Sequence, residues 1–194
     1  MKKLCTLILM SFFATASLPV LAAEEGDDMG FWFEAGTASH KNASWFTGYY
    51  EKSLTNSIGV YVLADTESDG YREWYVGPKV KLAEWLEVGI GAGRESSRGG
   101  LSNSPRRNAF VSVNTDTVSA YATYENGASG SWHKAYAVYK ATEAVSGGVM
   151  YETKFGIGPR VEYTIAKNVT VWGAVLRNRD TKETTSLLSV NFSF

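Results

Sequence analysis

The chain has 194 residues, with 19 basic and 20 acidic side chains and a formal net charge of −1. Neither sign dominates, so a nucleic-acid partner is not expected. One cysteine, Cys5, excludes a disulfide framework, and two histidines leave little material for metal or acid–base chemistry.

The first 22 residues have the three-part layout of a secretory signal peptide. Lys2 and Lys3 form a basic start, residues 4–21 are apolar or small, and Val20-Leu21-Ala22 fits a small-residue cleavage site. Cys5 sits inside this segment, so residues 23–194 are expected to form one cysteine-free domain. Removing Lys2 and Lys3 takes the formal charge of −1 to about −3. Glu24, Glu25, Asp27 and Asp28 then read as a solvated acidic start. No later stretch is long and apolar enough for a membrane helix. The aromatic content is 13%, with 19 glycines, a profile that suits a β-barrel in lipid.

From there the periodicity is two, which predicts strands. They fall at 29–38, 44–53, 57–65, 71–82, 86–95, 107–125, 131–142, 149–165, 169–178 and 184–194, in up-and-down order. In 71–82, Trp74, Val76, Pro78, Val80 and Leu82 share one face, with Glu73, Tyr75, Gly77, Lys79 and Lys81 opposite. The 151–165 stretch alternates over 15 residues in the same way, with Pro159 expected to disturb its pairing. Val76-Gly77-Pro78-Lys79-Val80 matches Ile157-Gly158-Pro159-Arg160-Val161, and each leads into a short break, at 83–85 and 166–168. This reads as one hairpin design used twice, with those breaks as periplasmic turns. The 96–106 stretch, with Gly99, Gly100 and Pro105, is the longest loop and is expected outside the cell.

Asn114-Thr115-Asp116-Thr117 could split 107–125 into two strands. That split gives an odd count and leaves the repeated hairpins pointing opposite ways. A single bulged strand is therefore expected, for ten strands in all, with eight as the alternative.

The last strand places Leu188, Val190, Phe192 and Phe194 on one face and Ser189, Asn191 and Ser193 on the other. Here the chain resembles the bacterial outer-membrane β-barrel superfamily, whose members end in such a strand with a terminal Phe. The resemblance implies an all-β, antiparallel, up-and-down transmembrane barrel in the outer membrane of a Gram-negative bacterium. Its implied partners are membrane lipid, lipopolysaccharide and, during biogenesis, the barrel-assembly machinery that reads the terminal strand. Trp32, Trp45, Trp85, Trp132 and Tyr163 would belong to the interfacial girdles.

If the apolar faces meet lipid, Glu34, Glu73, Lys79, Lys81, Glu87, Glu95, Glu152, Lys154, Arg160 and Glu162 point into the lumen. These charges either pair into a plug or line a narrow aqueous path. Arg94, Arg98, Arg106 and Arg107 cluster around the long loop, where they could meet lipopolysaccharide phosphates, since Arg suits phosphate geometry. Outer-membrane lipid A acylases and deacylases and surface proteases resemble this chain in architecture, and depend on a histidine with a Ser, Asp or Glu partner. His40 in the first loop, with Asp65 and Asp69 in the second, allows a surface pair. His133, beside Ser131 near a 126–130 turn placed at the periplasmic end, reads as a girdle residue. No catalytic residue, cofactor or metal is expected. The leading reading is a non-enzymatic barrel with a porin-like or narrow-channel role for small solutes or ions. The alternative is a closed structural or surface-interaction barrel acting through its extracellular loops.

Overall fold

The computed structural model describes residues 29–39 and 43–194; the expected signal segment, the acidic start and His40 lie outside them. Twelve antiparallel strands follow in sequence order: β1 (Met29–Ala38), β2 (Ser44–Ser53), β3 (Ile58–Glu67), β4 (Arg72–Ala83), β5 (Leu86–Ser96) and β6 (Ser104–Asn114). The second half comprises β7 (Val118–Gly127), β8 (Gly130–Lys140), β9 (Val145–Glu152), β10 (Gly156–Ala166), β11 (Val169–Arg177) and β12 (Thr184–Ser193). Each pairs with its sequence neighbours, and β1 pairs with β12 to close the barrel. Closure leaves no strand edge unpaired, the condition for a sheet to sit in hydrocarbon.

The strand count corrects both the expected ten and the alternative of eight. Two long segments are in fact hairpins. Residues 107–125 fall in β6 and β7, with Asn114 opposite Ser119, and Thr115 Oγ1 accepts from the amides of Thr117 and Val118 to cap the turn. Residues 149–165 fall in β9 and β10, with Glu152 opposite Gly156 across a three-residue turn. A three-residue turn preserves the odd–even alternation, so the sequence pattern runs through it uninterrupted. Gly156, at φ +93°, makes the turn possible because L side chains rarely adopt that conformation. With both segments split, the count is even and the two repeated hairpins point the same way.

Those hairpins, β4–β5 and β10–β11, are built alike in detail. The β4–β5 ladder skips Gly77 and Pro78, and the β10–β11 ladder skips Gly158 and Pro159, with the register the same on either side. Proline has no N–H to donate, and its other edge stays in register with β3 or β9. The irregularity expected at Pro159 is therefore a gap in the ladder, while the bulges lie lower, between Lys81 and Ala83 and between Thr164 and Ala166. A Cβ on Gly77 would lie 1.9 Å from the Ile90 carbonyl oxygen, and one on Gly158 1.9 Å from that of Val175. Both glycines thus mark corners where neighbouring backbones nearly touch.

Alternation sorts the side chains. Ile90, Val161, Ile165, Val175 and Leu188 are exposed on the outer face, where lipid would cover them. We take the end carrying Met29 and Ser193 as periplasmic, because the long connections 97–103 and 178–183 lie at the other end and the turns at this one are short. Outward aromatics then fall near both rims: Phe46, Trp74, Tyr124 and Tyr151 toward the outside, and Phe31, Tyr139 and Tyr163 toward the periplasm. Of the expected girdle residues, Trp85 and Tyr163 are exposed. Trp32, Trp45 and Trp132 instead line the interior. The inner space is partly filled by two groups. Met150, Trp172, Leu176 and Leu187 pack on the β9–β12 wall, and Tyr49, Tyr61, Tyr75 and Phe110 pack on the opposite side.

Candidate functional site

The candidate site is the lumen, and its side chains are placed by the inward parity of each strand. Near the periplasmic half, Lys79 of β4 lies between Glu51 of β2 at 2.6 Å and Glu87 of β5 at 2.7 Å. Tyr49 donates to the same Glu51 at 2.8 Å. In the extracellular half, Arg106 of β6 meets three carboxylates, Glu73 at 2.7 Å, Glu95 at 2.9 Å and Glu125 at 3.0 Å. Tyr75 donates to Glu125, Tyr71 donates to Glu73 and Glu95, and Ser129 donates to Glu95 through its amide and hydroxyl. Arg106, Glu95 and Glu125 are buried.

A second set sits across the barrel. Glu34 of β1 accepts from the indole N–H groups of Trp45 and Trp172, each at 2.9 Å, and Lys134 of β8 reaches it at 3.6 Å. Arg160 of β10 bonds Glu162 at 2.7 Å, and its guanidinium lies 3.9 Å from the Trp172 ring centroid and 4.2 Å from that of Tyr136. At the outer mouth, Lys154 spans from the β9–β10 turn to Glu67 of β3 at 3.6 Å. Lys134–Glu34 and Lys154–Glu67 join strands at least five positions apart around the ring. They are struts across the lumen.

Aromatic rings form a band at mid-height. Trp32 stacks on Tyr49 and Tyr49 on Tyr61, which meets Phe110 edge-on; Tyr121 and Tyr136 continue the run. On β5, Gly89 and Gly91 leave the wall bare where these rings lean across. A Cβ on either would lie 2.3 Å from the Phe110 ring or 2.4 Å from the Tyr61 hydroxyl.

What remains open is one cavity of about 760 Å³. Its lining runs from Gly30, Asn191 and Ser193 at the periplasmic rim to Asp69, Ser131 and Lys154 at the outer mouth. Spread over an apolar band about 25 Å tall, that volume averages about 30 Å² in cross-section, the width of a few water molecules. Among the described residues, nine acidic side chains and four basic ones line it.

Eight of the expected lumen charges, Glu34, Glu73, Lys79, Glu87, Glu95, Glu152, Arg160 and Glu162, sit on inward faces. Lys81 is exposed at the periplasmic rim beside the β4 bulge, and Lys154 lies in the β9–β10 turn. The expected basic loop divides. Arg106 is inside the barrel, because β6 starts at Ser104 and its even positions face inward. Arg107 and Arg94 face outward, and Arg98 lies in the loop with its side chain over Gly70. His133 is at the extracellular end, since the 128–129 turn lies there, and its ring packs on outward-facing Tyr124 at 4.9 Å. Leu188, Val190, Phe192 and Phe194 follow the outer face of β12, and the Phe194 amide donates to Phe31 at 2.8 Å across the closing seam. Sequence reasoning did not place Glu51, Asp65, Glu67, Glu125 or Lys134 in the lumen. For Glu51, in a strand expected with the same bounds, 44–53, the parity signal was already legible; for Glu125, in a segment expected as one bulged strand, it became readable only with the turn between Asn114 and Ser119.

These features define a closed, antiparallel twelve-stranded β-barrel with an apolar outer face and a charged, partly filled lumen. No protein-family model and no curated protein matches the chain. Among solved structures, it is similar to the KdgM porin in complex with disordered oligogalacturonate, with a TM-score of 0.56 and 15% identity over 85% of this chain and 99% of that one. The NanC porin is similar at a TM-score of 0.52 and 12% identity, covering 84% of this chain and 98% of the other. Omp33 of Acinetobacter baumannii is similar at 0.51 and 9%, covering 87% and 98%. At these identities the likeness is one of fold.

Proposed function

We propose that the chain is a non-enzymatic integral barrel of the outer membrane that acts as a narrow channel for small solutes or ions. The observation that carries this reading is the cavity lined by residues of both rims, inside a wall whose charges are held in fixed pairs. Ordered pairs and struts keep such a path from collapsing, while its small cross-section excludes bulky cargo. Oligogalacturonate, named with the KdgM porin, is a chain of sugar acids. A wall on which acidic residues outnumber basic ones supports a different cargo here.

Two further features fit a barrel in this membrane. Arg72, Arg94, Arg107 and Arg177 all face outward near the extracellular rim, where guanidinium groups would meet the phosphates of lipopolysaccharide. The outer face of β12, ending at Phe194, is the surface that the assembly machinery would read. His133 packs on an outward-facing ring, away from the lumen, so His133→Ala should leave transport unchanged.

The test is single-channel conductance of the purified protein in planar bilayers. Discrete openings support the reading, and repeated absence of conductance above background overturns it in favour of a closed surface barrel.

A further inference from the structure

We infer that the lumen selects cations, and that Asp65 and Glu152 in the extracellular half set that preference. The inference rests on the channel reading above and adds a substrate class to it.

The basic groups of the inner wall are already neutralised. Arg106 faces three carboxylates and Lys79 two, so each of these clusters carries an excess of negative charge. Lys134 reaches Glu34, and Arg160 is bonded to Glu162 with its flat face covered by Trp172 and Tyr136. Asp65 and Glu152 are in none of these close ion pairs, although Lys134 acts on both at longer range and Lys154 on Glu152. The carboxylate of Asp65 accepts only from the Thr47 hydroxyl. Glu152 is the ladder partner of Lys134, but Lys134 reaches Glu34 across the lumen. Both acids line the open cavity. Among the described basic residues that line the cavity, the most accessible to an entering anion is Lys154, whose side chain is 57% exposed at the mouth and already near Glu67.

The width of the path makes this imbalance effective. A lumen a few water molecules across is narrower than the Debye length of about 10 Å at 0.1 M salt, so an ion anywhere in a section feels the wall charge. Low-dielectric walls of one sign concentrate counter-ions by roughly tenfold or more, and rings of Asp and Glu confer cation selectivity in channels generally. The class of permeant is therefore small cations, inorganic or amine-type.

The experiment is the reversal potential of the full-length mature barrel in a planar bilayer under a KCl gradient. For the wild type, the expected potassium-to-chloride permeability ratio is roughly tenfold near 0.1 M, falling toward one near 1 M as screening shortens to about 3 Å. Asp65→Asn and Glu152→Gln keep side-chain shape and remove charge. Each should lower the ratio part-way, and together by at least about threefold, with conductance retained. Heat-modifiable electrophoretic migration confirms that the variants are folded. A conducting wild type with a ratio near or below one overturns the selectivity and leaves the channel reading standing. Conducting variants with an unchanged ratio overturn the role of Asp65 and Glu152. Absence of conductance in the wild type overturns the channel reading, and this inference with it.

Discussion

Replacing Arg106 by Met should be among the most damaging single changes in the barrel wall. Its side chain is 3% exposed and bridges Glu73, Glu95 and Glu125, whose side chains are 9%, 0% and 6% exposed. Methionine fills much of the volume and removes the only positive charge in the cluster, leaving three carboxylates together with little access to water. Breaking a buried ion pair by deleting one partner costs about 3–5 kcal/mol, because the remaining charge is uncompensated. The lower end of that range is expected here, since Tyr71, Tyr75 and Ser129 continue to donate to the carboxylates. The assay is urea unfolding of the barrel in lipid vesicles, followed by tryptophan fluorescence and extrapolated linearly to water. Adding Glu95→Gln and Glu125→Gln to the Met variant should recover at least half of the loss, because two of the stranded charges are gone. A loss below about 1 kcal/mol, the range of solvated surface pairs, would refute the picture of a buried cluster of carboxylates held together by Arg106. So would a triple variant no more stable than the single one.

Gly158→Val should cost more than about 2 kcal/mol or abolish assembly, because its Cβ meets the backbone of β11, which cannot yield as a side chain can. Gly48→Val, with nothing within 4 Å of the new Cβ, should be tolerated, and heat-modifiable electrophoresis reads both outcomes. Ile90→Lys places a charge on a lipid-facing position that is 63% exposed, and should cost about 2–4 kcal/mol in vesicles if that face meets hydrocarbon. Deleting Phe194 removes the backbone bonds to Phe31 at the β1–β12 seam. It should reduce the amount of barrel recovered in outer-membrane fractions, while barrels that do form keep a urea midpoint close to that of the wild type.

The Arg106 cluster also illustrates how far sequence reasoning reached. Glu73 and Glu95 were legible as inward residues because their strands alternate cleanly. Arg106 was not, because it stands immediately before the expected start of its strand at 107, among loop-forming residues. Shifting that start to Ser104 turns a surface arginine into the centre of a buried cage. Glu125 was hidden similarly. With Asn114 opposite Ser119, the inward positions change from even to odd across the turn, so a pattern read as one bulged strand conceals which residues of β7 face the lumen. At 153–155 the opposite occurred: an odd-length turn kept the alternation intact, and nothing in the pattern marked the hairpin except Gly156. The girdle tryptophans failed for a chemical reason. Trp32, Trp45 and Trp132 read as interfacial girdle residues from their places near strand ends, yet an indole inside a polar barrel can stack on tyrosine and donate its N–H to a carboxylate, as Trp45 and Trp172 do with Glu34.

The sequence by itself determined the architecture class: alternation of period two, an apolar outer face, tight hairpins repeated around Gly-Pro, and a last strand ending in Phe194. These are local properties, carried by residues one or two positions apart. The tertiary structure alone decided the strand count, since a count needs every turn to be recognised. It alone also decided which charges meet. Lys134 and Glu34, or Lys154 and Glu67, are brought together by closure of the ring, and no spacing along the chain encodes a distance across a lumen.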